Sequence, residues 1–331
     1  MRTFSCIIAL VLLFALNIFC GSIHIPASHV AGILLSAVCG ESSDDTLSFI
    51  IIQSRLPQAL TAMLCGASLS VAGLLLQTTF RNPLAGPSVF GITSGASLAV
   101  AIMTLSVGSL LPAMGSQLTM FGAAFIGAMA VTAVIVSVSA VIRSNVMLLI
   151  VGIMIGYIAS SAITLLNFFA TEEGIRSYLL WGMGNFSSVS LSQLPLFSIL
   201  SFSGILASLL LIKPLNAMLL GDRYAASLGI DIRNVRRRLL LVTGLLSAVA
   251  TAYCGPIAFI GLAVPHMARL VTHTDNHRLL LPAVIMLGAA VALLCNLITT
   301  MPADGTMLPL NAITPLIGAP IIIYVILRKK Q

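Results

Sequence analysis

The residues of this chain that could do chemistry are few, and histidines are the first candidates. His273 and His277 stand four residues apart in the segment HTDNH, and two histidines at this spacing on one helix can hold a metal ion. Asp275 and Asn276 lie between them and favour a turn, so we predict a solvated loop rather than a metal site. His266 stands beside a proline, and we predict that it is a structural hydrogen-bonding residue near the cytoplasmic interface.

Motifs for catalysis are missing from the sequence. There is no GxxxxGK[ST] segment and no Gly-Lys pair, so the chain cannot bind ATP through a P-loop. There is also no HExxH segment, which a zinc peptidase would need. We therefore predict no catalytic residue, no metal and no cofactor.

The composition indicates an all-α, polytopic membrane protein formed by one transmembrane domain over residues 1–331. Apolar residues make up 59% of the 331 residues and charged residues only 8%, whereas a soluble domain carries about 25% charged residues. The net charge of +7 could indicate a nucleic-acid partner. In so apolar a chain, however, it reflects Lys and Arg retained on one side of the membrane, and lipid is the expected surrounding.

The apolar segments predict ten membrane-spanning helices, each near the ~20 residues that cross a bilayer. They lie at about 4–20, 56–79, 91–111, 118–142, 146–170, 193–212, 239–254, 256–272, 279–299 and 307–327. The first segment could also be a signal peptide, but its cleavage site would be poor, and we predict a retained helix. The boundary near 254–256 is the least defined.

The distribution of charge predicts that both termini are cytoplasmic. With ten spans, Arg55 and Arg176 are the only basic residues outside, while Asp222, Asp231 and Asp275 are the only acids inside. This asymmetry is the one that the positive-inside rule requires.

Small residues take the place of charges inside the predicted spans. No Asp or Glu falls within them, which weighs against a proton-driven transporter, although a Na⁺ site made of hydroxyls and carbonyls stays open. The spacings Gly91-xxx-Gly95 and Gly152-xxx-Gly156 predict close helix packing, within the chain or in a dimer.

The most charged segment, residues 213–238, predicts two short helices that meet a partner. It holds eight of the charged residues of the chain, which total 16 Lys and Arg and 9 Asp and Glu. Pro214 can start the first helix, Gly221 can end it, and Asp222 can cap the second, which stops at Gly229. Helices this short are marginal alone in water, so a partner's groove is favoured over a solvated loop. The predicted contact residues are Leu215, Met218, Leu219, Gly221, Asp222, Ala225, Ala226, Leu228 and Gly229. The arginines at 233–238 are predicted to be topology anchors.

The segment RNPLAGP at 81–87 predicts a rigid turn between two spans. Two prolines fix the backbone φ at two positions, which is more than a plain connection needs. A gate and a packing role are both open for it from the residues alone.

Five ordered segments resemble the FecCD-type permeases, the membrane subunits of bacterial ABC importers for iron-siderophores, haem and vitamin B12. They are RLPQALTAMLCGASLSVAGLLLQTTFRNPLAGPSVFGITSGASLA (55–99), GDRYAASLGI (221–230), GPIAFIGLAVPHMARL (255–270), HRLLLPA (277–283) and LIGAPIIIYVILRKK (316–330). Together they cover nearly the whole chain.

The resemblance implies a homodimer of ten-helix subunits in a bacterial cytoplasmic (inner) membrane. It implies two cytoplasmic ATP-binding subunits, whose grooves receive the helices at 215–229, and an extracytoplasmic substrate-binding protein. The chain would work by alternating access and would not itself be an enzyme. An ion-coupled secondary transporter and a receptor or structural subunit are the alternatives, and the sequence leaves the substrate open.

The resemblance also implies roles for individual residues. Asn82, Leu84 and Asn145 fall where the cytoplasmic gate lies, and Arg55 matches an exposed arginine that docks the binding protein. Two further docking positions depart from the family pattern, at Gln58 and Thr300, and Met307 takes the place of the usual acid at the entry to the tenth span. Docking through a full set of Arg–carboxylate pairs is therefore not expected.

Overall fold

The protein is described by a computed structural model that covers residues 2–21, 23, 25–39, 45–107, 117–142, 144–301 and 307–328. All regular secondary structure within these ranges is helical. Residues 108–111 of the third predicted span lie outside the described residues.

The helices alternate long apolar segments with short connecting ones. The first eight are α1 (Arg2–Phe19), α2 (Ala27–Cys39), α3 (Thr46–Phe49), α4 (Leu56–Phe80), α5 (Ile92–Ala101), α6 (Gln117–Val141), α7 (Asn145–Phe169) and α8 (Glu172–Gly182). The others are α9 (Leu194–Leu210), α10 (Ile212–Leu219), α11 (Asp222–Ser227), α12 (Ile232–Cys254), α13 (Ile260–Thr272), α14 (His277–Thr300) and α15 (Leu310–Arg328). A π-helical segment, Ile50–Arg55, joins α3 to α4, and another, Ile102–Val107, extends α5.

Each predicted span coincides with a helix, although length and composition alone support fewer spans than ten. Five helical stretches are long and apolar enough to cross a membrane: Thr46–Phe80, Leu118–Val141, Asn145–Phe169, Ile232–Cys254 and His277–Thr300. A sixth arises if α9 and α10, which meet at 51°, form one bent span. Shorter apolar helices occupy the other predicted positions, so the count of ten and the orientation of the termini stay predictions. The helices α2, α3 and α8 were not predicted.

Helix α12 begins seven residues before the predicted start at 239. The side chain of Asp231 accepts a hydrogen bond from the Asn234 amide at 3.1 Å and so caps the helix. Because this cap precedes the arginines at 233–238, they form the first turns of α12 rather than a loop. At its other end the chain leaves the helix at Gly255, and α13 begins only after Phe259, where φ is 66°.

Helix α4 is the central helix of the bundle. It packs against α14, α12, α13 and α9. Within Thr46–Phe80, 89% of the most apolar 18-residue segment is buried. Small residues permit this, because a Cβ added at Gly73 would lie 1.7 Å from the Gly261 carbonyl oxygen. The same close approach occurs at Gly66, where the Gly288 carbonyl oxygen would lie 2.2 Å away.

The glycine pairs predicted to pack helices do so within the chain. Gly95 faces Gly127 where α5 crosses α6, and a Cβ added at Gly127 would lie 2.3 Å from the Gly95 carbonyl oxygen. Gly91 faces Gly152 in α7. Helices α6 and α7 lie at the edge of the bundle, since only 22% and 17% of their most apolar 18-residue segments are buried.

Candidate functional site

The two predicted short helices are present as α10 and α11 at one end of the bundle. Gly221, with a φ of 117°, separates them, which is a conformation that favours glycine. Three of the predicted contact residues are buried within the chain: Leu215, Met218 and Ala225. The prediction that these three meet a partner is therefore wrong, because their side chains hold α10 and α11 on the bundle.

The opposite side of these helices is exposed and apolar. We call it the apolar face of α10 and α11, and it consists of Leu219, Leu220, Tyr224 and Leu228, which are 43–67% exposed. Ala226 and Gly229 are exposed beside it, and Gly221 is half-buried. Exposed leucine and tyrosine side chains grouped on one pair of helices form the kind of surface that another protein covers.

Asp222 does not cap α11, contrary to the prediction. The N-cap position is Gly221, and Asp222 instead binds two arginines. Its Oδ1 lies 2.6 Å from Nη2 of Arg81, and its Oδ2 lies 3.5 Å from Nη2 of Arg236. Arg236 is buried, and its ion pair with Asp222 links α11 to the start of α12. Its role as a topology anchor stays a prediction.

Helix α10 is attached to the bundle through His277. This histidine was predicted to lie in a solvated loop, but it is buried. The Oδ1 of Asn216 accepts from the His277 backbone amide at 2.8 Å and lies 2.9 Å from Nδ1. The Nε2 of His277 lies 2.9 Å from the Thr78 hydroxyl of α4. His273 is exposed and ends α13 at a φ of 50°, so the two histidines share no helix. Among the described residues, no three His, Cys, Asp or Glu side chains converge on a metal site.

The turn at 81–87 begins directly after α4 and lies beside α11. Arg81 ends α4 in the left-handed conformation, with a φ of 48°, and Asn82 Oδ1 accepts from the Leu84 amide at 2.9 Å. Nε2 of His266 donates to the Pro83 carbonyl oxygen at 2.8 Å, which confirms the structural role predicted for this histidine.

The three predicted gate residues lie around the same end of α4. Leu84 is 49% exposed, and Nδ2 of Asn145 is 3.5 Å from the Thr79 carbonyl oxygen, at the limit of a hydrogen bond. Asn145, at the start of α7, thus reaches the last turn of α4, and Asn82 and Leu84 follow that turn in the chain. Their role as a gate stays a prediction.

A cavity of about 550 Å³ opens beside the turn. Its wall includes Arg81 and Pro83 from the turn, Leu219 from α10, Arg269 from α13 and Val325 from α15. The turn is therefore not packed solidly on this side.

Arg55 lies at the other end of α4 and is buried, so the exposed position predicted for it is wrong. Its Nη1 donates to the carbonyl oxygens of Ile18 at 2.9 Å and Phe19 at 3.2 Å, and its Nη2 donates to the carbonyl oxygen of Ile23. Ile18 and Phe19 belong to the last turn of α1 and Ile23 lies beyond it, so their carbonyls have no helical partner. The guanidinium therefore fixes the end of α1 to the start of α4.

A chain of buried amides that sequence reasoning missed lies near Arg55. Nε2 of Gln58 donates to Asn296 Oδ1 at 3.0 Å, and Nδ2 of Asn296 donates to Asn17 Oδ1 at 2.8 Å. The chain links α4, α14 and α1. The signal for it was available, because single amides in apolar spans require partners within the protein.

Comparison with known proteins agrees with this architecture. Residues 9–328 match the model of the FecCD transport family. The chain is 35% identical over 291 residues to the hemin transport system permease protein HmuU of Yersinia pestis, covering 88% of this chain and 86% of that protein. It is 36% identical over 280 residues to the vitamin B12 import system permease protein BtuC of Vibrio cholerae serotype O1, covering 84% of this chain and 83% of that protein.

A solved structure shares the fold over nearly the whole length. It is an inward-facing conformation of a metal-chelate type ABC transporter, with a TM-score of 0.85 and 27% identity, covering 98% of both chains. The family match spans almost the entire sequence, and the helices, the short pair α10 and α11 and the turn after α4 fall within it. The chain therefore belongs to the FecCD transport family and is a transport permease, not an enzyme.

Proposed function

We propose that the chain is the membrane subunit of a bacterial ABC importer that moves a ferric siderophore, haem or cobalamin into the cytoplasm by alternating access. Its relatives named for hemin and vitamin B12 import support these substrate classes. In this proposal two copies form the pathway, in the cytoplasmic membrane, with both termini in the cytoplasm.

The observation that carries this proposal is the apolar face of α10 and α11. Leu219, Leu220, Tyr224 and Leu228 are exposed, while the helices that carry them are tied to α4, α12 and α14 by polar contacts. An apolar face on a firmly attached helix suits a groove in another protein. Two ATP-binding subunits, one for each copy, are the proposed owners of that groove.

The substrate-binding protein is proposed to dock at the opposite end of α4. Arg55 and Gln58 lie at that end, but both are buried and hydrogen-bonded within the chain. The contact is therefore proposed to use other, exposed residues of the outer loops. Arg55 is better suited to hold α1 in place than to bind a partner.

The apolar face gives a direct test of the proposed function. The permease is co-expressed with its ATP-binding subunit, and co-purification and ATP hydrolysis in proteoliposomes are measured. We expect the Leu219→Asp, Leu228→Asp variant to lose the subunit, because two buried carboxylates in an apolar groove would be costly. Arg237→Ala, which changes an exposed residue outside that face, is the matched control. A wild-type permease that binds no ATP-binding subunit would sink the proposal.

The substrate is tested separately with the binding protein present. Ferric siderophores, haemin and cyanocobalamin are offered in turn, and uptake into ATP-loaded proteoliposomes is measured. The compound that is taken up and also stimulates ATP hydrolysis identifies the class. Failure of all three classes would contradict the proposed cargo.

A further inference from the structure

One side chain joins both short helices to the turn that follows α4. Nη2 of Arg81 donates to the Met218 carbonyl oxygen at the end of α10, at 3.2 Å, and to Asp222 at the start of α11, at 2.6 Å. Arg81 is also the first residue after α4 and precedes Asn82 of the turn. Arg81 is therefore bonded to the end of α10 and the start of α11 through its side chain, and to the turn through its backbone.

The far side of the turn has a different support. The Pro83 carbonyl oxygen accepts from His266 of α13, and Asn82 holds the Leu84 amide. The turn is thus hydrogen-bonded to α13 on one side and to α10 and α11 on the other. The cavity of about 550 Å³ beside Arg81 and Pro83 leaves room for the turn to move.

The two arginines on Asp222 are not equivalent. Arg236 has 9% of its side chain exposed and belongs to the long helix α12, so it fixes one carboxylate oxygen to the bundle. Arg81 has 46% of its side chain exposed and belongs to the turn. An ion pair this exposed adds little to folding stability, so it can be cut without unfolding the protein.

We infer that Arg81 is the positioning residue through which α10 and α11 move the turn that carries Asn82 and Leu84. This inference rests on the proposed function, in which ATP-binding subunits move the short helices. A guanidinium suits this role because its planar set of donors binds a carboxylate and a carbonyl in one fixed geometry. When the short helices shift, the Arg81 side chain pulls the start of the turn, while the Pro83 carbonyl stays with α13.

The test follows the turn itself. Leu84→Cys is introduced into a variant whose native cysteines have been replaced, and the complex with ATP-binding subunits is reconstituted. The rate of maleimide labelling at this position is measured with and without ATP plus vanadate. We expect a nucleotide-dependent rate in the parent, and a roughly ten-fold smaller nucleotide effect when Arg81→Met is added, within the usual range of coupling between sites.

Three further variants separate transmission from stability. Arg223→Met changes an exposed arginine of α11 that makes no ion pair with any described residue, and it should keep the nucleotide effect. Arg81→Lys keeps the charge but lacks the planar set of donors, so it should restore only part of the effect. Arg81→Met combined with Asp222→Asn also removes the ion pair between Asp222 and Arg236, so any loss beyond that of Arg81→Met alone measures the hold of α12 on α11.

The outcomes separate the inference from the proposed function. A full nucleotide effect in Arg81→Met, in a complex that still binds ATP-binding subunits, overturns the inference and leaves the proposed function standing. Equal effects of Arg223→Met and Arg81→Met also overturn it, because a nonspecific change of charge would then explain both. A parent complex that binds no ATP-binding subunit overturns both.

Discussion

Arg55 and Asp222 are two charged residues whose roles depend on which neighbours reach them. Both are charged residues of an apolar chain, and Arg55 was predicted to dock a binding protein, whereas Asp222 was predicted to cap a helix. Each instead binds partners distant in sequence: Arg55 binds carbonyls near the end of α1, and Asp222 binds Arg81 and Arg236. Removing a charge from water costs free energy unless the charge is paired, which explains why both residues bind partners within the protein.

The buried position of Arg55 predicts a stability effect rather than a docking effect. Arg55→Met should leave three carbonyl oxygens without their donor and lower the free energy of unfolding by about 2–4 kcal/mol, since hydrogen bonds to charged groups are the stronger ones. Thermal unfolding of the purified protein in detergent measures this as a lower Tm. Arg176→Met, at an exposed arginine of α8, is the control. Equal Tm values for the two variants would contradict the assigned role.

At the scale of the helix, the short-range sequence pattern predicted where most helices lie but not which of their faces pack against other helices. The alternation of apolar segments and turn residues placed the long helices, and Pro214, Gly221 and Gly229 placed α10 and α11. The pattern did not separate the face of α10 and α11 that packs on the bundle from the one that stays exposed. Both faces are apolar, although only one of them packs on the bundle and the other is exposed. Apolar character therefore does not distinguish them.

The crossing of α4 and α13 provides a prediction at this scale. Gly73→Ala should force the two helices apart, because the new Cβ would lie 1.7 Å from the Gly261 carbonyl oxygen. We expect a lower Tm and less folded protein in the membrane fraction.

Gly122 in α6 is the matched control for that substitution. A Cβ added at Gly122 meets nothing within 4 Å, so Gly122→Ala should be neutral or gain up to about 1 kcal/mol from helix propensity. Size-exclusion profiles and Tm values of the two variants test this together. A Gly73→Ala protein as stable as Gly122→Ala would mean that α4 and α13 do not meet at this crossing.

At the scale of the whole molecule, the bundle connects its two ends through α4. One end carries the short helices, the turn and the cavity, and the other carries Arg55 and the buried amides. The membrane-crossing stretches that the structure describes contain no Asp or Glu, which leaves no carboxylate for a proton relay there.

This absence leads to a prediction about the energy source. Import into proteoliposomes should continue when ionophores abolish the proton and sodium gradients, and it should stop when vanadate blocks ATP hydrolysis. The reason is that the proposed driving force enters through α10 and α11 rather than through charges in the spans. Uptake that follows the ion gradient and ignores vanadate would favour a secondary transporter instead.

The sequence by itself determined that this is an all-helical membrane permease, where its long helices lie, and which segments match the FecCD family. These properties depend on composition, on local periodicity and on motifs that are contiguous in the chain. Only the tertiary structure decided which charges are paired and which apolar side chains stay exposed. Arg81 and Asp222 stand 141 residues apart, and Gln58 and Asn296 stand 238 apart. Such partners are chosen by how helices cross, and helical periodicity specifies a face of each helix but not the neighbour that covers it.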